Sequence, residues 1–368
     1  MENLFNRKVL YFLIILLSIA CSKNEVKSFG EAIESESNKQ KKINSKNNSP
    51  ELTVDENGVL FFENIEEMQN FISWAESEIE SYDQSFLAEY GHLSGDTLAD
   101  SLFVAGYNSD QPLINFEENF SDYNSLRKKV SEDMIPILQQ EDFDYASSPD
   151  AQYIGDPIMR TILNEDGAYG LGDSIYFPLD SGYLAIGPEA NYDLAVEDIN
   201  NDDMPMGSLS GPFRKIVIIL PPPPPGGGGG GGSGLNCANE CRTNRLNAKD
   251  VTDGNKKMAL TLSLMYSGAG THLAMKVVSY KRLTSWSSWF RYPYSKFAGY
   301  NTTTYYTGSN CNNAGTLPGE SKNNSSLLRC TVRHTFWGGA ARRVKCNTLY
   351  GSGSMSGINQ TSLTIAWS

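Results

Sequence analysis

Cys330 and His334 stand four residues apart near the C-terminus. If they met at one site they would form a thiol–imidazole pair, the thiolate attacking and the ring taking up its proton. We read His334 instead as an ordinary strand residue and Cys330 as a partner in oxidation. The chain has only three histidines, His92, His272 and His334, and it carries neither a G-x-S-x-G elbow nor an H-E-x-x-H pair. Glu165, Asp166 or Asp173 would serve a hydrolase, but nothing sets them apart from the other acids. Catalytic residues are therefore expected to be absent, and the protein is expected not to be an enzyme. Cys237-x3-Cys241, with Cys311, Cys330 or Cys346, would offer thiolates to zinc, but no second close pair accompanies it. Asp198-x-Asn200-x-Asp202 opens like a calcium loop. Asp203 then stands where glycine is needed, and Leu209 where the loop needs glutamate. No metal and no cofactor is expected.

Binding chemistry is better represented. From Lys281 to Tyr300 aromatic and cationic residues interleave, with Trp286, Trp289, Arg291, Tyr292, Tyr294 and Lys296 as candidate ligand contacts. Exposed aromatic faces stack on sugar rings, and Arg and Lys bind acidic groups. An anionic glycan or lipopolysaccharide suits such a surface. Nucleic acid would also suit it, but an exported protein is not expected to meet nucleic acid. The competing reading has Trp286 and Trp289 filling a core. Arg342-Arg343-x-Lys345 reads as a solvated strand edge.

These residues must be positioned by a chain of two opposite characters. Residues 1–234 carry 14 Lys and Arg against 39 Asp and Glu, a net −25; residues 235–368 carry 16 against 4, a net +12. The halves imply different partners, or each other. Residues 1–20 read as a signal peptide: Arg7 and Lys8 precede an apolar run too short to span a bilayer, and small residues lead to Cys21. Cys21 is the expected lipidation site and mature N-terminus, anchoring the protein to the membrane. Residues 21–50 are a polar tether with too little apolar surface to fold. The other five cysteines, Cys237, Cys241, Cys311, Cys330 and Cys346, all lie in the basic half. That clustering suggests at most two disulfides and one spare thiol, in a pairing left open.

The acidic domain, residues 51–220, reads as α+β. Asn64 caps a helix to about Tyr90, with Ile65, Met68, Phe71, Ile72, Ala75, Ile79 and Tyr82 as one stripe. Ser125–Leu138 is a second helix, interrupted by Pro136, and Asp156–Leu163 a third. Ser174–Phe177 and Gly182–Ile186 form a hairpin, and Phe213–Leu220 a closing strand. Residues 221–234, five prolines followed by a glycine run, form a rod and a swivel. The basic domain, residues 235–368, reads as an antiparallel sandwich or barrel. Its strands are Met258–Met265, Leu273–Tyr280, Asn301–Thr307, Arg329–Phe336 and Ser362–Trp367, punctuated by glycines that include Gly351 and Gly353.

The lipobox at Cys21, the helix around Phe71 and Trp74, the segment Ile158–Phe177 and the basic stretch Ala259–Gly299 together resemble a type of envelope lipoprotein common in Bacteroidota. The resemblance implies a two-part architecture and a place in the outer membrane or cell envelope, facing the periplasm or the surface. It implies no activity. Lipoproteins of this type resemble others with O-glycans at Asp-Ser/Thr-aliphatic sites, a pattern that Thr97, Ser101 and Ser174 fit. The leading expectation is a non-catalytic lipoprotein whose basic domain binds an anionic envelope partner. The alternatives are an acidic domain docked on its own basic domain, a hydrolase, or an effector on a stalk. The oligomeric state is left open.

Overall fold

The stripe beginning at Ile65 winds into the longest helix, α1 (Ile65–Tyr90). Asn64 caps it by accepting the Glu67 N–H at 3.0 Å, and Met68, Phe71, Ile72 and Ala75 are buried along one face. The computed structural model describes residues 50–200 and 245–366, except 180–181, 188–190, 268, 286, 308–312, 325–328, 338–344 and 347. Cys21, Cys237, Cys241, Cys311, Trp286, the Phe213–Leu220 segment and the Pro/Gly linker lie outside the described residues. After α1 come α2 (Gly95–Val104), α3 (Gln111–Glu117) and α4 (Leu126–Leu138). Ser125 caps α4, its hydroxyl accepting the Lys128 N–H at 3.0 Å. Pro136 does not interrupt α4, because in the last turn it removes only one helical donor. Two short helices follow, α5 (Pro149–Gln152) and α6 (Pro157–Ile162), the second capped by Asp156.

A five-stranded sheet completes this α+β part: β1 (Thr53–Val54), β2 (Leu60–Phe62), β3 (Tyr169–Leu171), β4 (Ser174–Leu179) and β5 (Gly182–Ile186), adjacent in that order. Among the described strands only β2 and β3 pair parallel. The expected hairpin is β4–β5, in the register Phe177↔Leu184. Helix α7 (Tyr192–Asn200) packs Tyr192 and Ala195 with Phe177 and Ile186.

The basic half is all antiparallel. Its strands are β6 (Arg245–Asp253), β7 (Lys256–Tyr266), β8 (Gly270–Lys281), β9 (Phe290–Arg291), β10 (Lys296–Tyr300), β11 (Thr303–Thr307), β12 (Asn313–Leu317), β13 (Glu320–Asn324), β14 (Arg329–Trp337), β15 (Lys345–Cys346), β16 (Thr348–Met355) and β17 (Ile358–Ala366). They form three open sheets, β14-β8-β7-β6 with β9 beside β8, β13-β10-β16-β17, and β12-β11-β15. Among the described residues none closes into a barrel.

Side chains along a strand alternate between its faces, and β7 and β8 bury both. Leu260, Leu262 and Leu264 of β7 and Leu273, Met275 and Val277 of β8 share a core with Ala298 of β10, Leu349 of β16 and Leu363 of β17. The alternate residues Ala259, Met265, Val278 and Tyr280 share a different core, with Phe71, Phe116, Phe143 and Tyr145. The β7–β8 hairpin is thus the middle layer, with helices on one side and a second sheet on the other. The described residues of 50–103 and 107–366 all belong to one compact unit.

Gly351 and Gly353 do not punctuate strands; both lie inside β16. A Cβ on Gly353 would stand 2.5 Å from Val277 Cγ2, and one on Gly351 would stand 2.6 Å from Met275 Sδ. Missing side chains let the two sheets approach. Gly353→Leu is expected to overpack this contact and cost about 1–3 kcal/mol, read as a lowered urea midpoint. Exposed Tyr350→Ser on the same strand should stay within about 0.5 kcal/mol.

Candidate functional site

The face of β7–β8 turned to the helices carries polar residues with no water to receive them. Lys257, Thr261, Ser263, His272 and Lys276 are all buried. Buried polar groups need partners; the acidic half supplies them to Lys257, Thr261, Ser263 and Lys276, while His272 is partnered within the basic half. Tyr145 Oη lies 2.7 Å from Thr261 Oγ1, and Gly155 N donates to Ser263 Oγ at 3.1 Å. Tyr169 Oη donates to the Ser267 carbonyl at 2.6 Å. Lys257 Nζ donates to the Phe143 carbonyl and, at 2.7 Å, to Asp250 Oδ2. Trp289 donates from its backbone to Leu138 O at 2.7 Å and from its indole to Glu141 O at 3.0 Å.

Charge runs through the same seam. Asp150, in the first turn of α5, accepts from Lys276 Nζ at 2.8 Å and from Arg160 Nη1, all three side chains being nearly inaccessible. Arg160 spends its other donors on the carbonyls of Ile154, Asp150 and Tyr153. Asp110 occupies the N-cap position of α3, yet its carboxylate makes no capping bond. It faces Arg291 of β9 at 3.0 Å and Arg329 at the start of β14. Asp156 caps α6 through Oδ1, which accepts from Ile158 N at 3.0 Å, and sets Oδ2 3.2 Å from Arg333 Nε. Arg333 also meets Glu76 at 2.7 Å. Three helix-start carboxylates of the acidic half, Asp110, Asp150 and Asp156, with Glu76 from within α1, therefore receive cations of the basic half.

The ionisation of the seam follows from this geometry. Burial alone would raise the Asp110 carboxyl, but the charges of Arg329, Arg291 and Arg127 outweigh it and hold it well below the carboxylate range. Asp150 behaves likewise: burial opposes its charge, and Lys276 and Arg160 restore it. Burial draws Lys276 down to about 7 against the pull of Asp150. His272 sits between Ser267 Oγ at 3.0 Å and Thr335 Oγ1 at 3.1 Å, and burial lowers it to about 4.

The aromatic cluster does not form an exposed platform. Trp289, Tyr292 and Tyr294 are 2–3% exposed, so their faces pack against protein and cannot stack on a ligand. Trp289 meets Phe143 edge-on, and Lys257 and Arg282 lie over its ring. Arg291 is spent on Asp110. Lys296 is 3% exposed, its Nζ has no partner among the described residues, and burial lowers it to about 7. Cys330 is buried, with Sγ 3.3 Å from the Lys322 carbonyl. Cys330 and His334 lie four residues apart along β14, about 13 Å at ~3.3 Å per residue, too far to share a proton. His334 pairs instead with Glu320 at 3.7 Å. Of the Asp-Ser/Thr sites, Thr97 is exposed on α2, while Ser101 and Ser174 are half-buried. No group of three or more His, Cys, Asp or Glu side chains gathers as a metal site among the described residues.

No family model matches the chain, and neither a curated protein nor a solved structure matches it. The site is therefore read from its own residues. Asp110, Asp150, Arg160 and Lys276 were not among those singled out in the sequence. The signal that points to them is Lys276 itself, a charge at mid-strand in LAMKVV with apolar neighbours on both sides.

Two measurements probe the seam. Asp150→Asn leaves Lys276 and Arg160 buried without their counter-charge and should cost about 3–5 kcal/mol in urea unfolding. Lys129→Ala, which breaks a half-exposed pair with Asp133, should cost less than about 1 kcal/mol. The second probe is pH. Because the folded His272 titrates near 4 and an unfolded histidine near 6.5, the unfolded chain binds more protons between those values. Stability should rise with pH across that window, by on the order of 3 kcal/mol in full, and be lost on acidification through it. His272→Gln should flatten the profile there.

Proposed function

We propose that this protein is a non-catalytic lipoprotein of the bacterial outer membrane or cell envelope, held by a lipid on Cys21, and that its acidic half is the standing partner of its basic half. One observation carries the reading. Lys276, Arg291, Arg329 and Arg333 of the basic half are each met by a carboxylate from the acidic half, and all of those carboxylates except Glu76 are buried. At the rim, Lys281 pairs with Asp100 at 3.4 Å and Lys256 with Asp96 at 3.8 Å, extending the same match outward. An external acidic glycan would have to displace internal carboxylates and would find the aromatic rings already packed. Self-docking is therefore favoured over capture of an anionic envelope partner.

In this reading the protein is a spacer-borne structural module. The tether of residues 21–50 sets it off the membrane, and the docked halves present one body. No helix among the described residues is long and apolar enough to cross a membrane. The resemblance to Bacteroidota lipoproteins agrees with this placement and adds no activity.

A protease site placed within residues 221–234 of the full mature chain tests the docking. After cleavage the halves should co-elute in gel filtration at low and at high salt, because an apolar core accompanies the charges. Separation of the cleaved halves at either salt would overturn self-docking. Anchoring is tested separately: Cys21→Ala should move the protein from the membrane fraction to the soluble one, and retention in the membrane would remove the lipid from the reading.

A further inference from the structure

Lys296 opens β10, and its side chain does not reach water. Strand alternation puts it on the same face as Ala298 and Tyr300, which lie in the core between the two sheets. The residue is 3% exposed, and Nζ finds no hydrogen-bond partner among the described residues. An ammonium brings three donors and no acceptor. Under cover and unpartnered, it costs far more than the neutral amine, which carries no charge to desolvate.

The described elements around Lys296 bring little counter-charge. From β14 come Cys330, fully buried, and Arg329, which is turned to Asp110. From α1 comes Asp83, which accepts from Tyr107 Oη at 2.5 Å and feels the charges of Arg329 and Lys322, and whose pKa burial raises. In the sheet, Lys296 stands between Asn324 of β13 and buried Met355 of β16. Glu320 of β13 lies opposite Tyr300, at the other end of β10, and pairs with His334. Strand β8 holds His272, Lys276 and Tyr280 on the helix side, away from this core. Strand β17 has no titratable residue, and Tyr294 takes the Lys256 ammonium over its own ring at 4.5 Å. Burial therefore decides the ionisation and draws Lys296 down to about 7, against the weaker pull of Cys330 and Asp83.

The position of Lys296 at the strand end gives it a way out. Tyr292 is held to β8 by its N–H to Ser279 O at 3.0 Å, so the chain is free to turn only beyond it. Ser356 N donates to Ser295 O at 2.9 Å and ties the β16–β17 turn to the start of β10. We propose that Lys296 is a proton-operated latch between the two sheets: closed, the sandwich holds it as a neutral amine, and protonation lifts the start of β10, with the β16–β17 turn, off β14. A lysine brought out into water titrates at about 10.4. Between that value and about 7 the open state holds a proton that the closed state lacks. Acidification across the window thus favours opening by up to about tenfold per pH unit, and the effect levels off below about 7. Alkaline medium closes the contact.

The test follows hydrogen exchange of the full mature chain by mass spectrometry, on peptides from β10 and the β16–β17 turn, corrected for intrinsic rates. It is read as the difference from Lys296→Met, which keeps Cys330, Asp83 and Lys276, so that their own titrations cancel. From pH 9 to pH 7 protection of the unaltered chain should fall roughly fiftyfold relative to that variant. At pH 7 Lys296→Met should be the better protected of the two. Should the variant fail to fold, the Lys296 ¹³Cε resonance of the unaltered protein, assigned through its own backbone, should titrate at about 7. A difference that does not change with pH, weaker protection in Lys296→Met at pH 7, or a Cε midpoint of about 10 would overturn the proposal.

Discussion

A strand pair buried on both faces has no solvent into which a polar side chain can turn. β7 and β8 place Lys257, Thr261, Ser263, His272 and Lys276 under such cover. Each of these groups would cost one to several kcal/mol if left without a partner. The acidic half is thus a chemical requirement of the hairpin. Tyr145, Gly155, Phe143 and Asp150 are placed where a donor or acceptor is demanded. The apolar residues between them, Ala259, Met265, Val278 and Tyr280, contribute the area that drives the association.

The charges in the seam act on specificity more than on strength. Desolvating Asp150, Arg160 and Lys276 together consumes most of what their attraction returns, and an apolar replacement of equal volume could be as stable. Their effect is to forbid other registers. Shifting β8 by one residue would turn Lys276 into the sandwich core and Met275 toward Asp150. Asp110 sets a second fixed point by joining β9 and β14, two strands far apart in the chain, through a single carboxylate.

Much of the architecture was legible from residue pattern. The caps Asn64, Ser125 and Asp156, the stripe on α1, the β4–β5 hairpin and the long strands β7, β8 and β14 all carry local signals. Helices α2 and α3 carried none strong enough, being only ten and seven residues long. The seam was hidden for a different reason. Alternation in Leu260-Thr261-Leu262-Ser263-Leu264 is the pattern of a half-exposed strand, with the hydroxyls in water. Nothing local distinguishes a hydroxyl facing water from one facing a tyrosine that stands 116 positions earlier. Trp289 and Tyr292 misled in the same way, because an aromatic among cations looks alike whether the cations face solvent or acids. The charge asymmetry of the halves did carry the information, but only as a sum and without assigning partners.

That sum has a consequence for how the halves relate. A net −25 and a net +12 attract at long range in any arrangement, and screened attraction between loosely placed charges would give an ensemble of encounters. The described seam selects one arrangement because its charges are few, buried and directional, while the rim pairs at Asp96 and Asp100 remain longer and more exposed. Long-range charge then brings the halves together, and buried hydrogen bonds decide how they fit. Joining both in one chain raises their effective concentration, so the fit need not be tight in the sense of a separate complex to be fully populated. The basic half would by itself expose Ala259, Met265, Val278, Tyr280 and Trp289 beside unpaired Lys276. An apolar face studded with buried-type polar groups is stable neither in water nor against a partner lacking Asp150 and Tyr145. The same face that makes the hairpin dependent on the helices therefore protects it from any other surface.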